Sequence, residues 1–158
     1  MESPADAWAR LMTPTAQFCH CLPARDAMLE DSTMLQKLLL LAIAGALGTL
    51  ARYGLSGLVH RSTSALFPWG TLAVNILGCF LAGMLWTLFE SRWPVTSQTR
   101  TIVLVGFMGA FTTFSAYILE TGAMVQSSQW QPALCNLALQ NGLGFAALYA
   151  GAVLARLL

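Results

Sequence analysis

The sequence predicts an all-α membrane protein with four transmembrane helices per subunit. Three observations carry that prediction. The chain has 158 residues, of which 56% are apolar and only 9% charged, against about 25% charged in a soluble domain, and its mean hydropathy is +0.63. Its apolar residues gather into four runs, each near the ~20 residues that a bilayer crossing needs. The links between the runs are short, polar and marked by tryptophan. A net charge of +1 without a Lys/Arg cluster excludes a nucleic-acid binder, which needs a basic patch for phosphates.

Residues 1–33 differ from the rest. They carry Glu2, Asp6, Asp26, Glu30 and Asp31 and no apolar run long enough for a signal peptide. The acidic residues also argue against a transit peptide. We expect a disordered or interfacial extension over residues 1–33 and a transmembrane domain over 34–158. Met34 opens the first apolar run, so a mis-assigned start is a second reading of the extension. Cys19, His20 and Cys21 lack a second ligand pair at metal-site spacing. Cys79 and Cys135 fall within apolar runs, so the four cysteines do not read as a disulfide framework.

The first run, 35–59, holds Arg52 in "GTLARYG". Such an arginine draws anions into a vestibule or snorkels to the interface as an anchor, and both readings stay open. The second run, 66–89, contains "GTLAVNILGCFLAG", with Thr71, Asn75 and Gly78 on one helical face. Polar groups are costly in lipid and need a reason. Asn75 either bonds a neighbouring helix beside small residues or offers its amide to a pore.

The third run, 101–125, holds "GFMGAFTTFSAY", with Gly106, Gly109 and the hydroxyls of Thr112, Thr113, Ser115 and Tyr117. This composition predicts a broken third helix. Non-helical backbone at membrane depth is tolerated only inside protein or along a cavity. Its freed carbonyls suit a hard cation such as Na+. A plain kink, with threonine hydroxyls bonded to the preceding turn, is the simpler reading. Phe107, Phe111 and Phe114 recur at i, i+4 and i+7, and Tyr117 follows three residues later. Aromatic edges are electropositive, so Phe114 and Tyr117 edge-on to a pore would partner a small anion without trapping it. Phe107 and Phe111 read as packing. Glu120 is the only carboxylate well inside a run, and its partner is open.

The fourth run, 132–157, carries Asn136, Gln140 and Gly144 as a stripe that either faces a pore or joins helices. Trp69, Trp93 and Trp130 mark the junctions, where an aromatic belt is expected. Lys37, Arg92, Arg100 and Arg156 lie on the amino-terminal side, which favours cytoplasmic termini.

Three blocks together resemble the Fluc (CrcB) family of fluoride channels: "GALGTLARYG" (45–54), "WGTLAVNILGCFLAG" (69–83) and "GFMGAFTTFSAY" (106–117). The resemblance covers roughly residues 34–158. It implies a passive fluoride channel in the bacterial plasma (inner) membrane, built as an antiparallel, dual-topology dimer, with pores along the subunit interface. The partner would be a second copy or an oppositely oriented paralogous subunit. It implies a structural Na+ held by the carbonyls of Gly109 and Thr112. Asn75, Phe114, Tyr117, Thr71 and Ser115 would line the fluoride path, with Arg52 at an anion vestibule. This chain departs from the family pattern at Tyr117, where a phenylalanine is usual, and at Ala116 and Ile118, which lack hydroxyls. Gln140 stands where a serine is more frequent.

A small four-helix proton-coupled multidrug exporter is the alternative. It would need a carboxylate in the first run, and residues 35–59 contain none. A non-transporting assembly subunit is a further alternative. No nucleophile–base pair or HExxH motif is present, so no catalytic residue is expected.

Overall fold

The computed structural model describes residues 24–63, 67–93 and 95–158, with side chains from residue 34 onward. The Cys19–Cys21 motif and most of the expected extension lie outside the described residues. The described elements are helices: α1 (Ala24–Ser62), α2 (Trp69–Ser91), α3 (Ser97–Thr101), a π-helical stretch (Ile102–Met108), α4 (Gly109–Phe111), α5 (Phe114–Gln126) and α6 (Trp130–Leu157). Four spans are long and apolar enough to cross a membrane: Met34–Ser62, Trp69–Ser91, Ser97–Gln126 and Trp130–Leu157. They match the four apolar runs to within a few residues.

The surface shows which solvent the fold meets. Leu50, Tyr53, Phe114, Leu119, Phe145 and Tyr149 are each at least two-thirds exposed, whereas Thr71, Thr121, Asn136 and Gln140 are buried. Water would select the reverse arrangement, and lipid selects this one. Trp69, Trp93 and Trp130 sit exposed at span ends, as an aromatic belt requires. At the carboxyl end of α2, the Arg100 guanidinium donates to the Phe89 carbonyl at 3.1 Å. It also lies 5.4 Å from the Trp86 ring centroid, a cation–π contact.

Close helix packing comes from small residues. A Cβ on Gly83 would stand 2.1 Å from the Leu148 carbonyl oxygen, and one on Gly151 would stand 2.0 Å from that of Phe80. Helices α2 and α6 therefore meet backbone to backbone, which lipid-embedded helices exploit in place of a hydrophobic driving force. Helix α1 approaches the third span in the same way, since a Cβ on Gly48 would fall 2.3 Å from the Phe107 carbonyl oxygen. Val74, Met108 and Phe111 form a small apolar core, with Phe107 against it. Phe107 and Phe111 stack nearly parallel at 6.0 Å, in the packing role expected of them.

Candidate functional site

In the third span the chain leaves the α-helix at two residues. Thr112 (φ −83°, ψ 157°) and Thr113 (φ −146°, ψ 110°) are extended, so the flanking backbone groups need other partners. In a continuous helix the Thr113 N–H would donate to the Gly109 carbonyl four residues back. It donates instead to Asn75 Oδ1 at 2.8 Å, and Asn75 Nδ2 donates to the Thr113 carbonyl at 3.1 Å. One amide side chain thus satisfies both backbone groups of an extended residue, much as a neighbouring strand would. Thr113 Oγ1 then accepts from the Ala116 N–H at 3.3 Å and caps α5. The Thr112 hydroxyl donates back to the Met108 carbonyl at 3.0 Å, the bond expected of a plain kink.

The shared face of Thr71, Asn75 and Gly78 meets the third span at all three positions. The Thr71 hydroxyl donates to Glu120 Oε1 at 2.6 Å, which supplies the partner that sequence left open. A Cβ on Gly78 would collide with Thr112 Cγ2. Asn75 Nδ2 also donates to Gln140 Oε1 at 3.1 Å. Both Asn75 amide hydrogens are therefore used inside the protein, so this residue holds the interruption in place.

Two cavities flank Thr113. One, of about 430 Å³, brings together Arg52, Thr71, Ser115 and Glu120. Arg52 is half-buried there, and the Ser115 hydroxyl lies 3.4 Å from that of Thr113. Glu120 Oε2 is buried without a partner among the described residues. The other, of about 210 Å³, brings together Asn75, Thr112, Phe114, Tyr117, Gln140 and Asn141. Phe114 is 73% exposed and Tyr117 only 4%, and their rings meet edge to face with centroids 5.5 Å apart. Gly109 lines neither cavity. It is exposed, and the atom nearest to a Cβ there would be the Leu104 carbonyl oxygen, 4.0 Å away. Its backbone is open to an approaching neighbour.

The stripe on the fourth span divides its roles. Asn136 is fully buried. It donates to Thr121 Oγ1 at 2.8 Å, while Thr121 donates to the Tyr117 carbonyl at 2.7 Å. That position joins helices, and Gly144 packs against the Cys79 sulfur. Gln140 is the position that lines a cavity. Sequence reading missed Asn141, whose Nδ2 donates to the Tyr117 hydroxyl at 3.0 Å. The available signal was the adjacent pair Gln140–Asn141, which a helix places on neighbouring faces about 100° apart. His60 lines a further cavity of about 480 Å³ together with Glu120.

Comparison with known proteins adds a family to this geometry. Residues 39–152 match the model described as CrcB-like protein, Camphor Resistance (CrcB). A relative from Desulforapulum autotrophicum, named Fluoride-specific ion channel FluC, is 64% identical over 125 residues, covering 79% of this chain and all of the relative. Relatives of the same name from Solidesulfovibrio magneticus and Nitrosococcus oceani are 52% and 50% identical over the same coverage. Their name denotes an ion channel and not an enzyme. With a family match across most of the four-span region and relatives aligned over their full length, the chain belongs to the CrcB family.

Proposed function

We propose that the protein is a fluoride-selective channel that lets fluoride leave the cytoplasm passively across the bacterial plasma (inner) membrane. Hydrogen fluoride crosses membranes unaided and dissociates at neutral internal pH, so a downhill exit for the anion limits its toxicity. No fuel is required. The observation that carries this reading is the cavity beside the interrupted third span. There the Phe114 and Tyr117 rings meet edge to face among neutral amides and hydroxyls. Neutral donors and ring edges hold an anion weakly enough for it to leave, as conduction requires.

Each residue has a part in the path. Arg52 draws anions toward the cavity that it shares with Thr71 and Ser115. Asn75 keeps Thr113, which lines both cavities, extended. Phe114, exposed in the single subunit, lines the path where a second subunit closes it. The working unit is an antiparallel dimer of two copies, or of this chain with an oppositely oriented paralogous subunit, embedded in lipid.

The residues at the interruption fit a Na+ ion. The Gly109 carbonyl loses its helical donor because the Thr113 N–H is taken by Asn75, and the Gly109 backbone is exposed. Carbonyl oxygens are the ligands that a hard cation prefers. The carbonyls of Gly109 and Thr112 would hold the ion, with the same pair from a two-fold partner. When bound, Na+ supplies positive charge that offsets the converging carbonyl dipoles of the two third spans.

The alternative exporter gains no support, since the first span carries no Asp or Glu between Met34 and Ser62. Growth of a fluoride-sensitive bacterial host tests the proposal. Expression of this protein should restore growth in millimolar-range fluoride, and Phe114→Ile expressed at the same level should not. Equal growth with and without the protein would refute it.

A further inference from the structure

A groove of about 370 Å³ shares no lining residue with the two cavities that flank Thr113. Its volume falls in the range of ligand pockets, about 300–1,000 Å³. Ala82, Gly83 and Trp86 of α2 form one wall, Leu148 and Ala152 of α6 form another, and Leu104 of the third span completes the lining. Thr87 belongs to it as well, but its hydroxyl donates to the Gly83 carbonyl of its own helix at 3.0 Å. The walls are therefore apolar. At membrane depth such a groove offers nothing to water and suits an acyl chain.

The groove has a charged mouth. Trp86 and Arg100 lie near the neighbouring ends of two spans, of which the second finishes at Ser91 and the third starts at Ser97. The Arg100 guanidinium stands 5.4 Å from the centroid of the Trp86 ring, and one of its nitrogens donates to the Phe89 carbonyl at 3.1 Å. Those two contacts hold the side chain in place. A guanidinium carries five N–H groups in a rigid fork, and the rest of the fork meets no acceptor among the described residues.

Helices α2 and α6 run parallel, since Asn75 meets Gln140 and Gly83 meets Leu148. Arg100 precedes Leu104 by four residues, and Arg156 follows Ala152 by four. Residues four apart share a helix face, so each arginine stands one turn beyond a groove residue, toward the same end of the spans. Glu90 follows Trp86 by four residues in the same way. The mouth thus gathers two arginines against one carboxylate.

We propose that this groove binds an anionic phospholipid, with the phosphate on Arg100 and Arg156 and one acyl chain along Trp86, Leu104 and Ala152. The inference needs only the membrane setting and does not rest on the channel reading. Charge complementarity selects the occupant. An arginine fork grips phosphate oxygens through two parallel hydrogen bonds, and basic pockets between membrane helices take anionic headgroups. A zwitterionic lipid would bring its own cation against the two arginines. The bound lipid joins α2, the third span and α6 at one end, and a ligand that favours the folded state stabilises it by mass action.

Thermal unfolding of the full-length protein in a neutral detergent tests the site, with native mass spectrometry counting bound lipid independently of stability. Phosphatidylglycerol at about ten times its dissociation constant should raise the melting midpoint by about 4 °C. Phosphatidylcholine with the same chains should raise it far less, and glycerol 3-phosphate, a headgroup without tails, should leave it unchanged. Arg100→Gln should weaken phosphatidylglycerol binding about tenfold, the size of one lost hydrogen bond to a charged group. Ala152→Phe fills the groove without changing charge and should weaken binding by a similar factor, which guards against misfolding of a single variant as the cause. Arg61→Gln removes an equal charge at the other end of the first span and should bind like wild type. Equal binding of the two phospholipids, or wild-type affinity in both Arg100→Gln and Ala152→Phe, would overturn the site. An equal loss in Arg61→Gln would overturn it too, by reducing the effect to net charge.

Discussion

Helix α2 meets its neighbours in two different ways along its length. Toward its carboxyl end, Gly83 lies against the Leu148 carbonyl, and Gly151 of α6 answers against Phe80. No side chain intervenes, and dispersion between close backbones holds the pair. Toward its amino end, Thr71 and Asn75 reach across to Glu120, Thr113 and Gln140 through hydrogen bonds of 2.6 to 3.1 Å. None of the buried side-chain atoms without partners among the described residues belongs to the first region. The second retains two buried polar atoms without partners among the described residues, Glu120 Oε2 and Gln140 Nε2. The contrast separates contacts between close backbones from contacts carried by polar side chains.

Substitutions in each region test that separation. The largest effect should come from Asn75→Leu, which leaves the Thr113 N–H and carbonyl unmet away from water. At about 1–3 kcal/mol for each unmet group, stability should fall by about 3 kcal/mol or more, read from unfolding in detergent, and fluoride efflux should cease. Gly151→Ala should cost about 2 kcal/mol by forcing α2 and α6 apart. Its efflux, scaled to the folded fraction, should stay within about twofold of wild type, since a stability loss alone changes only how many channels are folded. If Gly151→Ala silenced folded protein as Asn75→Leu does, the two regions would not be separable.

The four spans were legible because hydropathy over twenty residues is a strong signal. The face of Thr71, Asn75 and Gly78 was legible too, since helical spacing fixes which residues point together. What those residues touch was not legible. The Thr71–Glu120 bond joins positions 49 residues apart, and no periodicity reports such a pairing. Considered alone, Asn75 reads equally as a bond to a neighbouring helix or as an amide facing a pore. Only the extended backbone at Thr113 shows that it serves as a clamp. The π-helical stretch Ile102–Met108 carries no residue pattern distinguishing it from an ordinary apolar helix. Gln140 and Asn141 are neighbours in sequence with separate tasks, which depend on partners on α2 and α5.

Smaller effects sharpen the comparison. Thr71→Val removes the donor to Glu120 at nearly constant shape and should cost about 1 kcal/mol, the scale of single hydrogen bonds between membrane helices. Its fluoride efflux should fall less than that of Asn75→Leu, since Thr71 bonds the protein's own carboxylate. The smallest change lies outside both regions. Ser128 ends α5 at φ 59°, a left-handed conformation that glycine adopts without cost. Ser128→Gly should raise stability by about 0.5 kcal/mol and leave efflux unchanged. A loss of transport there would show that the α5–α6 turn belongs to the conducting machinery.

The most direct test of the account is the fluoride efflux of the purified wild-type protein from KF-loaded liposomes, followed with an electrode after adding valinomycin, beside KCl-loaded controls. The account predicts rapid fluoride release, no chloride release, and loss of the fluoride signal in Phe114→Ile. Equal release of the two anions, or fluoride release that persists unchanged in Phe114→Ile, would contradict it.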